Sequence, residues 1–438
     1  MVKVPWWKEY PERDMEYVRW YPCALERVNP DDIWKKKEIA YYVHIPFCKS
    51  ICTYCPFFKQ VYNEKLAKKY VDHLLKEIKL YSNLPYIQDS MITAGYFGGG
   101  TPTSLKMEDL LRLIDFINDN FNIHPKAEIS CEANIETVDE KYISTLLDIG
   151  INRLSFGVQS FNDKFLKILG RNHTAEEVFS MIKIAREVGC SNINIDLIYR
   201  LPGQTLSEWE DDLEKAIELE PDHISCYSLG LGPGTKLFEK ELKGEIPQRP
   251  SIEIDMKMYL LAREKLLEAG YVQYTVVDFA KPGKECVHHK INWEAPQGEY
   301  IGMGAGAFSF INGWIFCNIH HLEDYITAIS KGIYPVLLGK KLTAEEKMSR
   351  FMVLGVKCLR VSKEKFKETF GINVEDVYGE VLDRLEKYEL ITVDESWISL
   401  TVKGMLYVDN VSKSFYTKEN YMKRQPRGVE LAQLRVSL

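Results

Sequence analysis

The feature that most constrains the fold is an alternation of short apolar runs and amphipathic stretches between Tyr41 and about Pro233. This pattern is typical of βα units that build a parallel sheet. Strands are predicted at 41–45, 92–97, 128–133, 153–156, 192–198 and 223–228, and helices at 64–81, 107–121, 139–147, 175–188 and 206–219. Six strands predict a partial (βα)6 barrel, which is open on one side, so a large substrate can enter laterally.

The length of 438 residues, with 45% hydrophobic content, suits one large domain and a smaller one. The segment from Leu342 onward predicts helices around a hairpin at 391–400, which indicates a small, winged-helix-like α+β cap. The predicted fold is therefore α/β with a C-terminal α+β cap. We expect an N-terminal extension at 1–40, the barrel at 41–235, a barrel-completing, substrate-side segment at 236–340 and the cap at 341–438.

Charge and cysteine content exclude several classes of function. The net charge is −7, from 56 basic and 63 acidic residues, which gives no electrostatic basis for binding nucleic acid. No uncharged apolar run approaches the roughly 20 residues of a membrane span. Ten cysteines without framework spacing fit a reducing compartment. We therefore expect a cytoplasmic protein that binds a small molecule.

Cys48, Cys52 and Cys55 form a C-x3-C-x2-C triad directly behind the first predicted strand. Three thiolates on one tight loop can hold three irons of a cubane [4Fe-4S] cluster, which leaves the fourth iron open to a ligand. The alternative is a structural zinc site. Zinc prefers paired C-x2-C arms or added histidines, and a single arm is visible, so the spacing favours the cluster.

Further motifs fall at or just past the ends of the predicted strands. These are the glycine run 98–100, Glu132, Gln159 and Asp196. The carboxyl ends of parallel barrel strands meet at one rim, where the loops converge. The sequence therefore predicts a single site that combines these residues with the triad.

The ordered set of motifs, over nearly the whole chain, resembles the oxygen-independent coproporphyrinogen III oxidase family of radical S-adenosylmethionine (SAM) enzymes. The motifs are the triad, Tyr96-Phe-Gly98-Gly99-Gly100-Thr101-Pro102-Thr103, Glu132-Ala-Asn134, Leu154-Ser-Phe-Gly-Val-Gln159, Leu169-Gly-Arg171 and Asn194-Ile-Asp196. The resemblance implies a [4Fe-4S] cluster, reductive cleavage of SAM to a 5'-deoxyadenosyl radical and a tetrapyrrole or similar bulky conjugated substrate. It also implies an electron donor such as flavodoxin or ferredoxin.

The resemblance further implies two SAM molecules. By the family's pattern, the SAM on the cluster is contacted by Tyr42, Tyr54, Gly98, Gly99 and Glu132, and the second SAM by Gly100, Thr101, Gln159, Arg171 and Asp196. An arginine suits a carboxylate and an aspartate suits ribose hydroxyls, because both pairings give charge-assisted hydrogen bonds.

Two departures from the pattern leave the activity open. Coproporphyrinogen oxidases carry a further cysteine where this chain has Phe57. The His-Asn-x-x-Tyr-Trp element of the heme-chaperone branch is altered here to His288-His289-Lys-Ile-Asn292-Trp293. The sequence around the triad also resembles those of heme-degrading and class C radical methyltransferases. The alternatives are therefore an oxidase, a methyltransferase on a tetrapyrrole or on another scaffold, and a heme-binding chaperone with little turnover.

Overall fold

The computed structural model describes residues 38–293 and 298–421, together with residues 423, 431 and 434. Almost all of the predicted N-terminal extension, 1–37, lies outside the described residues.

The strands of the described residues are β1 (Ile39–Ile45), β2 (Phe47–Cys48), β3 (Gln60–Val61), β4 (Ile92–Gly99), β5 (Ile123–Ala133), β6 (Arg153–Gln159), β7 (Ile193–Tyr199), β8 (His223–Ser228), β9 (Val272–Gln273), β10 (Asp278–Ala280), β11 (Tyr300–Met303), β12 (Phe308–Ile311), β13 (Trp314–Asn318), β14 (Val336–Lys341), β15 (Arg360–Ser362), β16 (Ile391–Val393) and β17 (Trp397–Leu400). The helices are α1 (Glu64–Ser82), α2 (Pro85–Gln88), α3 (Met107–Asn120), α4 (Glu140–Asp148), α5 (Asp163–Leu169), α6 (Ala175–Glu187), α7 (Leu206–Glu218), α8 (Lys236–Leu242), α9 (Ile252–Glu268), α10 (Val287–Trp293), α11 (Leu322–Ser330), α12 (Ala344–Gly355), α13 (Lys363–Phe370), α14 (Val374–Lys387), α15 (Val402–Leu406), α16 (Val408–Ser414) and α17 (Lys418–Tyr421).

The centre of the fold is the parallel run β1-β4-β5-β6-β7-β8, which lies within a twelve-stranded sheet. These are the six predicted strands: β1, β4, β5 and β6 are longer than predicted, β7 is shifted by one residue and β8 has the predicted bounds. Their near-continuous burial is what a parallel sheet covered by helices requires. The α/β fold is confirmed.

The strands of the 236–340 segment extend this sheet at both edges. β10 pairs antiparallel with β8, and β11 pairs parallel with β1. The segment thereby covers strand edges that would otherwise be open to pairing with another chain. The predicted domain boundaries stay a prediction.

The C-terminal residues form the predicted α+β cap. Its three-stranded sheet has the order β15-β17-β16, and the predicted hairpin is formed by β16 and β17. Helices α12 to α16 surround this sheet. Phe351 and Phe366 of the cap belong to the same buried apolar cluster as Val43 and Leu154 of the central strands. Among the described helices, none has both the length and the apolar character needed to cross a membrane.

Candidate functional site

The three triad cysteines lie on one loop at the C-terminal end of β1. Cys48 ends β2, and its carbonyl accepts a hydrogen bond from the Tyr62 backbone N–H at 2.8 Å. Cys52 and Cys55 are half-buried. Between them, the Thr53 N–H donates to the Leu169 carbonyl at 3.0 Å, which ties the loop to the end of α5. The loop is therefore anchored on both sides of the barrel mouth.

The three thiols fit an iron–sulfur cluster. Burial, with a smaller contribution from the neighbouring Cys55 and Cys52 thiols, raises the pKa of Cys48 to about 11. Sulfurs crowded in this way are stable as thiolates only beside a strong positive charge, and a bound metal centre supplies that charge. Thr101 Oγ1 already donates to the Cys48 sulfur at 3.7 Å, and Arg171 Nη1 donates to the Cys52 sulfur at 3.4 Å. The donor set therefore suits a thiolate-bound cluster.

The glycine run is required by the protein's own packing. A Cβ added at Gly100 would lie 2.7 Å from the Phe47 carbonyl oxygen, and one at Gly99 would lie 2.6 Å from the His44 ring. Gly99 also has φ of +113°, which favours glycine. The sequence prediction explained these glycines by the approach of SAM. Close contact with the strand before the triad is a sufficient reason for Gly99 and Gly100, and the role toward SAM stays a prediction.

Three residues predicted at the first SAM site, Tyr42, Gly99 and Glu132, lie on the neighbouring strands β1, β4 and β5. Glu132 accepts from the Gly99 N–H at 3.1 Å and from the Tyr96 hydroxyl at 3.0 Å. The Tyr42 ring stacks on Tyr96 with centroids 6.2 Å apart. Burial, with a further contribution from the charge of Asp196, raises the pKa of Glu132 to about 7. This carboxylate is therefore suited to receive a positively charged donor.

The residues predicted at the second SAM site are linked through Asn134. Its amide donates to Thr101 Oγ1 at 3.0 Å and accepts from Arg171 Nη2 at 2.8 Å. Arg171 also donates to the Gly157 carbonyl at 2.6 Å. Asn134 belongs to the Glu132-Ala-Asn134 motif but is not among the predicted site residues. Its position two residues past Glu132, at the end of β5, is the signal that could have identified it.

Gln159 and Asp196 complete this second group on β6 and β7. Asp196 is paired in register with Gly157, and it accepts from Asn194 Nδ2 at 2.9 Å. Gln159 is a non-glycine residue with φ of +72°, at the point where β6 ends. Strain of this kind persists where the surrounding structure enforces it, and it is common at functional sites.

Tyr54 lies between the two predicted groups. Burial raises its pKa well above the ordinary value, while the charge of Arg171 lowers it and that of Asp196 raises it. Its ring packs against a buried apolar cluster that includes Phe165 and Leu201. Tyr54 therefore presents a flat apolar surface beside the polar residues of the second group.

The altered histidine element folds back into the barrel. The His288 ring lies 4.9 Å from that of Tyr96 and 6.2 Å from that of Tyr42. Asn292 Nδ2 lies 3.1 Å from His288 Nδ1, and His288 Nε2 is buried without a hydrogen-bond partner among the described residues. Burial lowers the pKa of His288 to about 3. A neutral imidazole therefore faces the aromatic interior of the barrel.

Comparisons with known proteins show which proteins this chain is similar to. Residues 42–216 match the model of the radical SAM superfamily, and residues 342–407 match that of the HemN C-terminal domain. The heme chaperone HemW of Bacillus subtilis is 35% identical over 378 residues, which cover 85% of this chain and 98% of that protein. The oxygen-independent coproporphyrinogen III oxidase of Escherichia coli is 29% identical, with 90% of this chain and 88% of that protein covered.

A solved structure gives the same result for the fold. The structure of the coproporphyrinogen III oxidase HemN from Escherichia coli matches with a TM-score of 0.76 at 28% identity. The match covers 87% of this chain and 90% of that chain.

Proposed function

The chain belongs to the HemN-like family of radical SAM proteins, and from this premise we propose that Cys48, Cys52 and Cys55 hold a [4Fe-4S] cluster at which SAM is cleaved. The observation that carries the proposal is the position of three thiols on one anchored loop at the barrel mouth. Such a cluster supplies an open iron and an electron, and reductive cleavage of SAM bound there yields a 5'-deoxyadenosyl radical.

The neighbouring strands position this SAM. Glu132 accepts from the SAM amine, and the Gly99 N–H keeps the carboxylate oriented from the adjacent strand. The Tyr42 hydroxyl and the backbone at Gly98 border the methionine portion, and Tyr54 borders the adenine. These residues hold the sulfonium at a fixed distance from the triad, and proximity of this kind is what the electron transfer requires.

A second SAM is proposed on the network of Thr101, Asn134, Gln159, Arg171 and Asp196, beside the backbone of Gly100. Arg171 binds the SAM carboxylate, since its Nε is buried without a partner among the described residues. Asp196 accepts from the ribose hydroxyls. Both interactions are charge-assisted hydrogen bonds, which are stronger than neutral ones.

The proposed substrate is a tetrapyrrole, which binds against the aromatic side chains inside the barrel. The relatives are named for coproporphyrinogen III or heme. In this chain Tyr42, Tyr96, His288 and Tyr300 form one aromatic cluster, with the His288 and Tyr300 ring centroids 6.3 Å apart. A large conjugated ring is the kind of ligand that stacks on such a surface. The electron donor is proposed to be flavodoxin or ferredoxin.

The second candidate function is heme binding with little turnover. Two observations favour it. One is the 35% identity with a heme chaperone over nearly its whole length, and the other is the buried Nε2 of His288, which has no hydrogen-bond partner among the described residues. Neutral imidazole is a common axial ligand of heme iron.

Phe57, the departure that favours methyl transfer over oxidation, is 59% exposed on the triad loop.

The cluster is tested by replacing each triad cysteine with alanine. After anaerobic reconstitution, we expect about four irons and four sulfides per chain in the wild type and loss of both in each variant, because every cysteine holds one iron. Cys358→Ala, a half-buried cysteine of the cap, is the control and should keep the cluster. An intact cluster in the triple alanine variant would contradict the proposal.

The second SAM is tested by equilibrium dialysis with the cluster in place. Two SAM molecules are expected to bind the wild type, and one SAM molecule is expected to bind each of the Arg171→Lys and Asp196→Asn variants. The Asp196→Asn variant should keep the cluster spectrum of the wild type. Lysine keeps the charge of Arg171 but loses its planar pair of donors. A single binding site in the wild type would refute the second SAM.

The activity is tested by supplying the reduced protein with coproporphyrinogen III and with heme in parallel. Methyl transfer releases 5'-deoxyadenosine and S-adenosylhomocysteine, whereas oxidative decarboxylation releases 5'-deoxyadenosine and carbon dioxide. A chaperone would bind heme and release little of any product. With a tetrapyrrole we expect both 5'-deoxyadenosine and S-adenosylhomocysteine. Release of 5'-deoxyadenosine and carbon dioxide alone would assign the chain to the oxidases. His288→Ala should weaken heme binding under the chaperone function.

A further inference from the structure

Two histidines and one aspartate meet on the β8 side of the sheet, beside Asp196 and Glu132 of the proposed SAM sites. His223 opens β8, Asp278 opens β10 and His289 lies on α10. His223 is level with Glu132 in the sheet, because the register runs from Glu132 through Ser155 and Asn194 to His223. The His289 ring lies 6.0 Å from that of Tyr96, which donates to Glu132. One potential ligand atom from each residue lies within 4.8 Å of those of the other two.

Hydrogen bonds around His223 prepare it as a ligand. Asn194 Nδ2 donates to Ser155 Oγ at 2.7 Å and to Asp196 Oδ1 at 2.9 Å, so the Asn194 amide oxygen faces His223. His223 Nδ1 lies 2.5 Å from that oxygen and must carry the proton. Nε2 therefore keeps its lone pair. Metal-binding histidines are oriented in this way, by donating the other ring N–H to an acceptor.

The other two residues each have a buried polar atom without a hydrogen-bond partner among the described residues. Asp278 is 2% exposed, and its Oδ1 has no hydrogen-bond partner among the described residues, although Thr275 Oγ1 donates to Oδ2 at 2.7 Å. His289 Nδ1 is likewise buried without a hydrogen-bond partner, and it lies 3.5 Å from Asp278 Oδ2. Buried polar atoms of this kind usually have a partner, which here points to a ligand.

We propose that His223, Asp278 and His289 form a site for one divalent metal ion of the zinc type, which ties α10 to β8 and β10. Imidazole nitrogen and carboxylate oxygen are zinc ligands, bound about 2.0–2.2 Å from the ion, which sets ligand atoms roughly 3.4 Å apart in a tetrahedron. The His289–Asp278 separation already meets this spacing. The Tyr274 hydroxyl, which is 2.7 Å from His223 Nε2, has to give up that bond when the ion enters.

The site differs in kind from the proposed cluster site, because it contains no thiolate and is enclosed within the barrel. Three protein ligands leave one position of a tetrahedral zinc ion open, and a water molecule held away from the substrate would complete a structural site. The ion would fix α10, which also carries His288 at its ring-stacking distance from Tyr96. The metal would therefore stabilise the wall of the substrate space without taking part in the reaction.

The test uses the full chain with its cluster reconstituted, dialysed against Zn²⁺. Metal analysis should give one zinc per chain in addition to the cluster iron, and X-ray absorption at the zinc edge should show nitrogen and oxygen ligands with imidazole scattering. Asp278→Asn and His289→Gln should each weaken zinc binding by at least about ten-fold, with iron content unchanged. His288→Gln, the neighbouring buried histidine on the same helix, is the matched control and should bind zinc like the wild type.

Thermal unfolding gives a readout on the wild type alone. Zinc should raise its Tm by mass action, because an ion that binds only the folded chain stabilises it. The proposal is overturned by any of three results: no zinc above background in the wild type, a sulfur shell around the zinc, or zinc retained in both Asp278→Asn and His289→Gln. Each would mean that Asp278 and His289 form an ion pair only.

Discussion

At the scale of single residues, packing alone requires a glycine at position 100. The Cβ of an alanine at residue 100 would lie 2.7 Å from the Phe47 carbonyl oxygen and 2.8 Å from the Pro46 carbonyl carbon. Both atoms belong to the backbone that leads into the triad and cannot move independently. Alanine at this position therefore has to shift the strand that positions Cys48.

We expect Gly100→Ala to lower the free energy of unfolding by about 1–3 kcal/mol, the usual cost of overpacking. Gly379→Ala is the control, because no atom lies within 4 Å of its added Cβ and it lies within α14, where alanine is favoured. That variant should be as stable as the wild type or slightly more stable. Urea unfolding checks both, and an unchanged midpoint for Gly100→Ala would show that the close contact is relieved elsewhere.

We predict that SAM binding depends on pH through the titration of Glu132. Burial and the charge of Asp196 raise its pKa to about 7, so the carboxylate form that accepts from an amine is populated as pH rises through that value. SAM affinity should therefore increase between about pH 6 and 8. Titrations of the wild type and Glu132→Gln, which has no titrating group there, isolate this contribution. Equal pH dependence in both proteins would assign the effect to another group.

Part of the candidate site could be predicted from the sequence. The triad spacing and the strand-end position of Glu132 agree with the structure, whereas Asp196, predicted at a strand end, lies in the middle of β7. The central place of Asn134 was not predicted, because an amide that bridges Thr101 and Arg171 has no spacing signature of its own. The cluster around His223 and Asp278 was also missed, because its members are 55 residues apart and meet only through the antiparallel pairing of β8 with β10.

At the scale of elements, one buried carboxylate joins α1 to the strands added at the β1 edge. Glu77 of α1 is fully buried and accepts from the Gly304 N–H at 2.8 Å, Asn318 Nδ2 at 2.7 Å and the Tyr325 hydroxyl at 2.5 Å. These donors belong to the turn after β11, the end of β13 and α11. A helix of the barrel and the later segment are therefore held together by a single side chain.

Glu77→Ala should lower the free energy of unfolding by on the order of 3 kcal/mol, because three buried donors lose their acceptor. Burial raises the pKa of Glu77 from 4.5 to about 7, so the folded chain binds the extra proton between these values and the group's stabilisation falls as pH rises through them. The loss should therefore be larger near pH 5 than near pH 8. Chemical denaturation at the two pH values measures it.

Glu64→Ala on the same helix is the control for this change. Glu64 pairs with Lys106 in solvent, and exposed ion pairs contribute little. Its replacement should leave stability nearly unchanged at both pH values. A loss as large as that of Glu77→Ala would trace the effect to the helix in general.

Elements with strong periodicity were predicted within a few residues, as for α1, α3 and α7. The short strands β9 to β14 were not predicted individually, since runs of two to six residues carry too little periodicity to separate strand from loop. Their pairing partners are also remote in sequence: β11 pairs with β1 across more than 250 residues. The sequence indicated a barrel-completing segment, and tertiary pairing decided where its strands went.

At the scale of the whole molecule, the continuous core couples the cap to the barrel. Apolar side chains of α12 and α14, such as Met352 and Leu385, belong to the same buried cluster as those of the central strands. The Val276 N–H donates to the Lys357 carbonyl at 3.0 Å, which adds a backbone link between the barrel segment and the cap. Separate domains with independent stability would have separate cores.

The described residues should therefore unfold in one cooperative transition, even though two family models match the chain separately. In calorimetry, we expect a single peak whose van't Hoff enthalpy equals the calorimetric enthalpy, as two-state unfolding requires. Met352→Ala in the shared core should shift the whole transition by about 2–5 kcal/mol in free energy. Two peaks, with only the smaller one moved by Met352→Ala, would show that the cap is an independent domain.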